Sequence, residues 1–208
     1  MQFVKTVLVL LALAFCSGML WAGGDAAKGK TLYATCIACH GADGHGMKAL
    51  NSPQIAGQED WYLERQLKNY KDGIRGSDPK DTFGMQMRPM AMTLTSDQAI
   101  ADVIAYIKTL KPKKPESTIQ GDAAKGKNLY VTCATCHGQK AEGMKALNAP
   151  ALTGLQDWYM LTQLKNYKNG VRGKHPKDIY GMQMAPMAMT LPNEQAIKDV
   201  IAYIKTLK

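Results

Sequence analysis

One unit is written twice in this chain, and that constrains its fold more than any other feature. Residues 24–111 align with residues 121–208 at a constant offset of 97 without a gap, and 60 of the 88 aligned pairs are identical. Shared strings include GDAAKGK, GMKALN, QLKNYK and VIAYIKTLK. Two copies of this size describe two domains from a duplication, whereas a solenoid needs at least three shorter repeats. Between them, residues 112–120 carry two prolines and no apolar periodicity, which reads as an extended linker. At about 3.1 Å per residue this linker reaches at most roughly 28 Å, so the domains stay neighbours.

Each copy reads as helices joined by long loops. Ile100, Val103, Ile104 and Ile107 fall at i, i+3, i+4 and i+7, one face of a helix, as do Ile197, Val200, Ile201 and Ile204. Ser96 and Asn193 are suited to cap these helices. A first helix is expected from near Asp25 toward Cys36 with Leu32 and Tyr33 inward, and Gly29 would let another helix approach closely. A middle helix is expected after Asp60, ending at Gly73 and burying Trp61, Leu67 and Tyr70. No segment alternates as a strand does, so the class is all-α.

The first 22 residues read as an address. Lys5 precedes an unbroken apolar run over residues 7–15, and Leu20, Trp21 and Ala22 precede Gly23. That is the layout of a secretory signal peptide cut after Ala22. An uncleaved anchor is the alternative, but the run is shorter than a membrane span requires. Lipid attachment at Cys16 would want a small residue before it, where Phe15 stands. The domain plan is therefore a signal at 1–22, a first domain at 23–111, a linker at 112–120 and a second domain at 121–208.

Removing the signal leaves four of the five cysteines, too few for a disulfide scaffold. They form two C-x-x-C-H motifs, Cys36-Ile37-Ala38-Cys39-His40 and Cys133-Ala134-Thr135-Cys136-His137. On one helical turn, two sulfurs at this spacing can each add to a haem vinyl group, and the adjacent histidine points a ring nitrogen at the iron. A thioredoxin-like dithiol expects a βαβ setting, and zinc would want two such pairs in one site. Two motifs at equivalent repeat positions, both followed by glycine, point to two covalently attached haem c groups. With 7% aromatic residues each small domain has a thin core, which a haem would fill.

His40 and His137 fill one axial position on each iron, and a sixth ligand is needed. His45 is matched by Glu142 and His175 by Asp78, so both read as surface residues. Eight of the 13 methionines lie in two strings, at 85, 87, 90, 92 and at 182, 184, 187, 189. Pro89 and Pro186 are expected to keep these strings from forming a regular helix. Most of these methionines read as soft core packing, with one per copy on the iron. A Cu(I) site is the less economical use of the same thioethers.

With its two C-x-x-C-H-G sites, Pro53 and Pro150 each followed four residues later by glycine, and Met90 and Met187 each four residues before a leucine, the chain resembles a dihaem class I cytochrome c. The resemblance is to the cytochrome c4 family and covers nearly all of residues 24–208. It implies two tandem cytochrome c-like domains and picks Met90 and Met187 as the axial methionines. It assigns the carbonyls of Pro53 and Pro150 to hold the histidines. It also implies packing of first helix on last through Gly29, Tyr33 and Tyr106, and through Gly126, Tyr130 and Tyr203.

Histidine–methionine ligation raises the reduction potential relative to two histidines. With both positions filled there is no open site for a small-molecule substrate, and no acid–base arrangement appears elsewhere. The expectation is an electron carrier in a bacterial periplasm, free or membrane-associated, passing single electrons toward a terminal oxidase. The runner-up is a haem subunit bound to a sulfide- or thiosulfate-oxidising dehydrogenase. A dihaem peroxidase would need one haem without methionine, against the near-identical strings. Arg75 and Arg172, in Gly-x-Arg-Gly, read either as partners of haem propionates or as solvated loop arginines. The formal charge of +9 divides unevenly: +1 over residues 23–111, +1 in the linker and +6 over residues 121–208. A basic second domain suggests a redox partner with an acidic docking surface. An exported location excludes nucleic acid.

Overall fold

The computed structural model describes residues 23–207, so the signal segment and Cys16 lie outside the described residues. Helices α1 (Ala26–His40), α2 (Asp60–Lys71), α3 (Thr82–Met92) and α4 (Asp97–Ile107) build the first half. Helices α5 (Ala123–His137), α6 (Asp157–Lys168), α7 (Ile179–Met189) and α8 (Glu194–Thr206) repeat them in the second. The all-α expectation holds. Among the described residues no helix is long and apolar enough to cross a membrane.

In each half the first helix packs on the last, and a glycine makes this possible. A Cβ on Gly29 would lie 1.9 Å from the Asp102 carbonyl oxygen, and one on Gly126 equally close to that of Asp199. Only a bare Cα allows that approach. Tyr33 is wholly buried there, its ring centroid 5.1 Å from that of Tyr106, and Tyr130 lies 5.5 Å from Tyr203. The Asp102 carboxylate accepts the Asp25 backbone N–H at 2.7 Å, pinning the start of α1 to α4. Ser96 Oγ accepts from Ala99 N–H, and Asn193 Oδ1 accepts from Ala196 N–H, the caps the sequence indicates. Behind them Ile100, Val103, Ile104 and Ile107 are buried, as are their four repeats. Each such side chain contributes roughly 1.5–3 kcal/mol by leaving water.

Some expectations are corrected. The methionine strings are helical: α3 and α7 run through Pro89 and Pro186. Proline's fixed φ is itself a helical value, and each ring sits in the C-terminal part of its short helix, where one lost N–H bond is tolerable. Asp81 and Asp178 start these helices, their carboxylates accepting from Gly84 and Gly181 N–H at 3.1 and 3.0 Å. Trp61, Leu67 and Leu32 are half-buried rather than core residues, and Trp61 lies under the Arg65 guanidinium at 5.1 Å. The linker is tied down more than its composition suggests. Pro115 is buried, and the Asp157 carboxylate accepts from Thr118 and Ile119.

Candidate functional site

Each half contains one open cleft, enclosing about 1240 Å³ in the first and 1260 Å³ in the second, their mouths included. Cys36, Cys39, His40, Met87, Met90 and Arg75 line the first. Cys133, Cys136, His137, Met184, Met187 and Arg172 line the second. Both clefts are predominantly apolar.

The cysteines and histidine come from the last turn of α1 or α5. The chain leaves that turn through Gly41 at φ 78°, ψ 159°, and through Gly138 at φ 83°, ψ 160°. This backbone region is essentially closed to residues with a Cβ, which explains the glycine after each histidine. His40 Nδ1 lies 2.8 Å from the Pro53 carbonyl oxygen, and His137 Nδ1 lies 2.8 Å from that of Pro150. A carbonyl only accepts, so Nδ1 carries the proton. Burial lowers both histidines' pKa below the ordinary imidazole value, against the opposing pull of these hydrogen bonds. The neutral imidazole therefore keeps a lone pair on Nε2. Burial also pushes the Cys36 and Cys133 thiols up to about 11. Thiols so held are poor redox nucleophiles at neutral pH, which argues against a reactive dithiol.

Of each methionine string, two members reach the cleft. Met87 and Met90 line the first and Met184 and Met187 the second, Met90 and Met187 being also exposed to solvent, while Met85, Met92, Met182 and Met189 are exposed and line neither cleft. Helical spacing of three residues puts each lining pair on one face. His45 and His175 line neither cleft. His45 ring nitrogens meet Asp43 and the Lys111 carbonyl, and His175 accepts from the Lys177 N–H.

Sequence reasoning missed the join between the halves. Arg75 donates to Gln66 of its own half and to Gln163 of the other, both at 2.8 Å. Arg172 donates to Gln163 and to Gln66, both at 2.9 Å. The four side chains close a ring whose two halves are related by the 97-residue offset. Each guanidinium also stacks on a tyrosine of its own half, Tyr70 at 4.5 Å and Tyr167 at 4.6 Å. Both arginines are buried, so the solvated-loop alternative is excluded. Further contacts repeat the reciprocity: Arg65 meets Asn148 while Asn51 meets Thr162, and Glu59 accepts from Ala151 N–H while Gln156 accepts from Gln54 N–H. Such exchange of equivalent contacts is the pattern of a two-fold interface. The signal in sequence was only that QLKNYK and GxRG recur unchanged.

The donor set fits a haem c in each cleft. Two thiols and a neutral imidazole sit on one turn, with thioethers on another wall. Arg75 and Arg172 are buried cations with no carboxylate partner among the described residues, and each retains an unpartnered buried Nε–H. Anionic propionates would supply the acceptors that these buried donors lack.

The comparisons agree with this arrangement. The Cytochrome c family model matches residues 26–111 and again 123–208. A cytochrome c4 of Azotobacter vinelandii is 33% identical over 98% of this chain and 99% of its own length. A thiosulfate dehydrogenase electron acceptor of Thiomonas intermedia is also 33% identical, over 93% of this chain and 89% of its own. The crystal structure of reduced recombinant cytochrome c4 from Pseudomonas stutzeri superposes with a TM-score of 0.68 at 30% identity, covering 89% of this chain and all of that one.

Proposed function

This chain belongs to the cytochrome c4 family of dihaem cytochromes c, and we propose from its two clefts which residues serve its electron transfer. The protein is a dihaem electron-transfer protein with two covalently attached haem c groups. When bound, each haem supplies an iron that gains and loses one electron. Cys36, Cys39, Cys133 and Cys136 are the thioether anchors. His40 and Met90 would hold the iron in the domain at 23–111, and His137 and Met187 the iron in the domain at 121–208. Pro53 and Pro150 fix the histidine tautomer and ring orientation. Arg75 and Arg172, which meet at the join between the halves, would each hold a propionate. Two protein ligands on each iron would leave no coordination site open to substrate, which supports a carrier rather than an enzyme.

The observation that carries the ligand assignment is the shared cleft. A protonated, carbonyl-bound Nδ1 leaves Nε2 free, and Met90 or Met187 lines the same space. Met90→Ala and Met187→Ala should each remove about half of the weak long-wavelength band of methionine-ligated ferric haem and lower one midpoint potential. A band unchanged by Met90→Ala but halved by Met87→Ala would move the assignment along the helix.

The rest of the reading concerns place and partners. The signal at 1–22 delivers the chain to a periplasm, where it passes electrons toward a terminal oxidase. The +6 of residues 121–208 suits a partner with an acidic docking surface. Association with such a partner should slow steeply as salt rises; a rate indifferent to salt would sink that docking mode. A second reading, a haem subunit serving a dehydrogenase, is favoured by the Thiomonas intermedia relative. Co-purification of a second chain from the native source would select it.

A further inference from the structure

The reciprocity of the domain contacts is one of position, not of charge. In the first half the Pro53 carbonyl accepts from His40 Nδ1–H at 2.8 Å. The N–H of the same peptide unit, on Gln54, donates to Gln156 Oε1 of the other half at 2.9 Å. In the second half the Pro150 carbonyl accepts from His137 at 2.8 Å. There the N–H of the next residue, Ala151, donates to Glu59 Oε1 of the first half at 3.0 Å. Each histidine is thus joined, through one peptide, to an acceptor from the opposite domain. That acceptor is a neutral amide on one side and a carboxylate on the other.

The Glu59 charge is not neutralised locally. It makes no ion pair among the described residues, and its Oε2 is buried without a hydrogen-bond partner. Hydrogen bonds in series polarise one another, so a carboxylate on the peptide N–H strengthens the carbonyl as an acceptor for His137. A stronger acceptor at Nδ1 raises the basicity of the opposite nitrogen. The wall of the same cleft carries a second unmatched charge. Arg65 donates to the Asn148 side chain and carbonyl at 2.9 Å, stacks 4.5 Å over Tyr180 and lines the second cleft. Its counterpart Thr162 is uncharged and accepts from Asn51 at 3.2 Å.

We propose that the first domain tunes the second domain's haem in one direction only, Glu59 lowering its reduction potential through the Ala151–Pro150–His137 chain and Arg65 raising it from the cleft wall. This rests on His137 being the axial histidine. Reduction removes one positive charge from the iron, so a nearby anion favours the oxidised state and a nearby cation the reduced one. Gln156 and Thr162 give the first domain's haem neither influence.

The test is a redox titration of the full chain carrying both haems, with each potential assigned to its domain by haem-methyl proton resonances. Glu59→Gln, which installs the residue found at the reciprocal position, should raise the second haem's potential and leave the first where it was. Arg65→Thr should lower the second alone, and Arg65→Lys, which keeps the charge, should hold it near its original value. The transplants should act on the other haem: Gln156→Glu lowers the first potential and Thr162→Arg raises it. Potentials that move together in both haems, stay fixed, or shift with the wrong sign overturn the proposal. The methionine-ligated ferric band of the same samples separates the two failures. Its absence in the parent chain refutes the ligand assignment, whereas an intact band with unmoved potentials refutes the tuning.

Discussion

Gly29 and Gly126 show how much a missing methyl can decide. An added Cβ would meet a carbonyl oxygen of the last helix at 1.9 Å, and that oxygen belongs to a backbone that cannot turn aside. Gly29→Ala or Gly126→Ala should destabilise its half by about 2–3 kcal/mol, an overpacking cost. Guanidinium unfolding of the holoprotein reads this directly, and a loss under roughly 0.5 kcal/mol, the range of ordinary surface changes, would contradict it. The close approach at Gly29 is legible in sequence only as a permissive glycine. Its partner, the Asp102 carbonyl, is 73 positions away and leaves no local trace. The cysteines and histidines differ: their chemistry is written in five consecutive residues, so sequence alone names both the cofactor and its anchors.

At the scale of the element, the helices follow their local signals except where proline intervenes. Caps at Ser96 and Asn193 and the apolar stripes of α4 and α8 are read off directly. α3 and α7 are not, because a proline rule written for long helix interiors overstates the cost in an eleven-residue helix. Helix α8 also carries a pH signature. Lys165, hydrogen-bonded to Glu194 at 2.7 Å, and Lys198 hold the Glu194 carboxyl down at about 2. A carboxyl whose pKa is depressed on folding stabilises the fold while ionised. Its contribution is complete above the ordinary value of 4.5 and is lost as pH falls toward 2. Glu194→Gln should therefore lower Tm at pH 7 and not at pH 2. The residue is exposed, so the difference should be small and shrink in high salt. A deficit that persists at pH 2 would show that packing, not charge, is responsible.

For the whole molecule, the Arg75–Gln66–Arg172–Gln163 ring couples the halves. Each glutamine oxygen serves both arginines, so either glutamine removed alone leaves two buried guanidiniums short of an acceptor. Gln66→Leu and Gln163→Leu should be strongly non-additive, with a coupling energy above roughly 0.5 kcal/mol. Each single variant should begin to split the thermal unfolding of the holoprotein into two transitions; strictly additive losses in one transition would show that the ring does not act as a unit. The same ring lies between the two clefts, with Gln66, Gln163 and Tyr159 lining both.

The sequence by itself determined that the chain is all-α, doubled, and built around two covalently attached haems. Those facts rest on short-range patterns: a helical period, a five-residue motif and an exact register between copies. Only the tertiary structure decided which methionines reach a cleft and that Arg75 and Arg172 are buried rather than solvated. It alone joined Glu59 to His137 through the peptide of Pro150 and Ala151. These contacts link residues about a hundred positions apart across a two-fold join. No local propensity records them, because their energy appears only when the two halves dock and remove the paired groups from water.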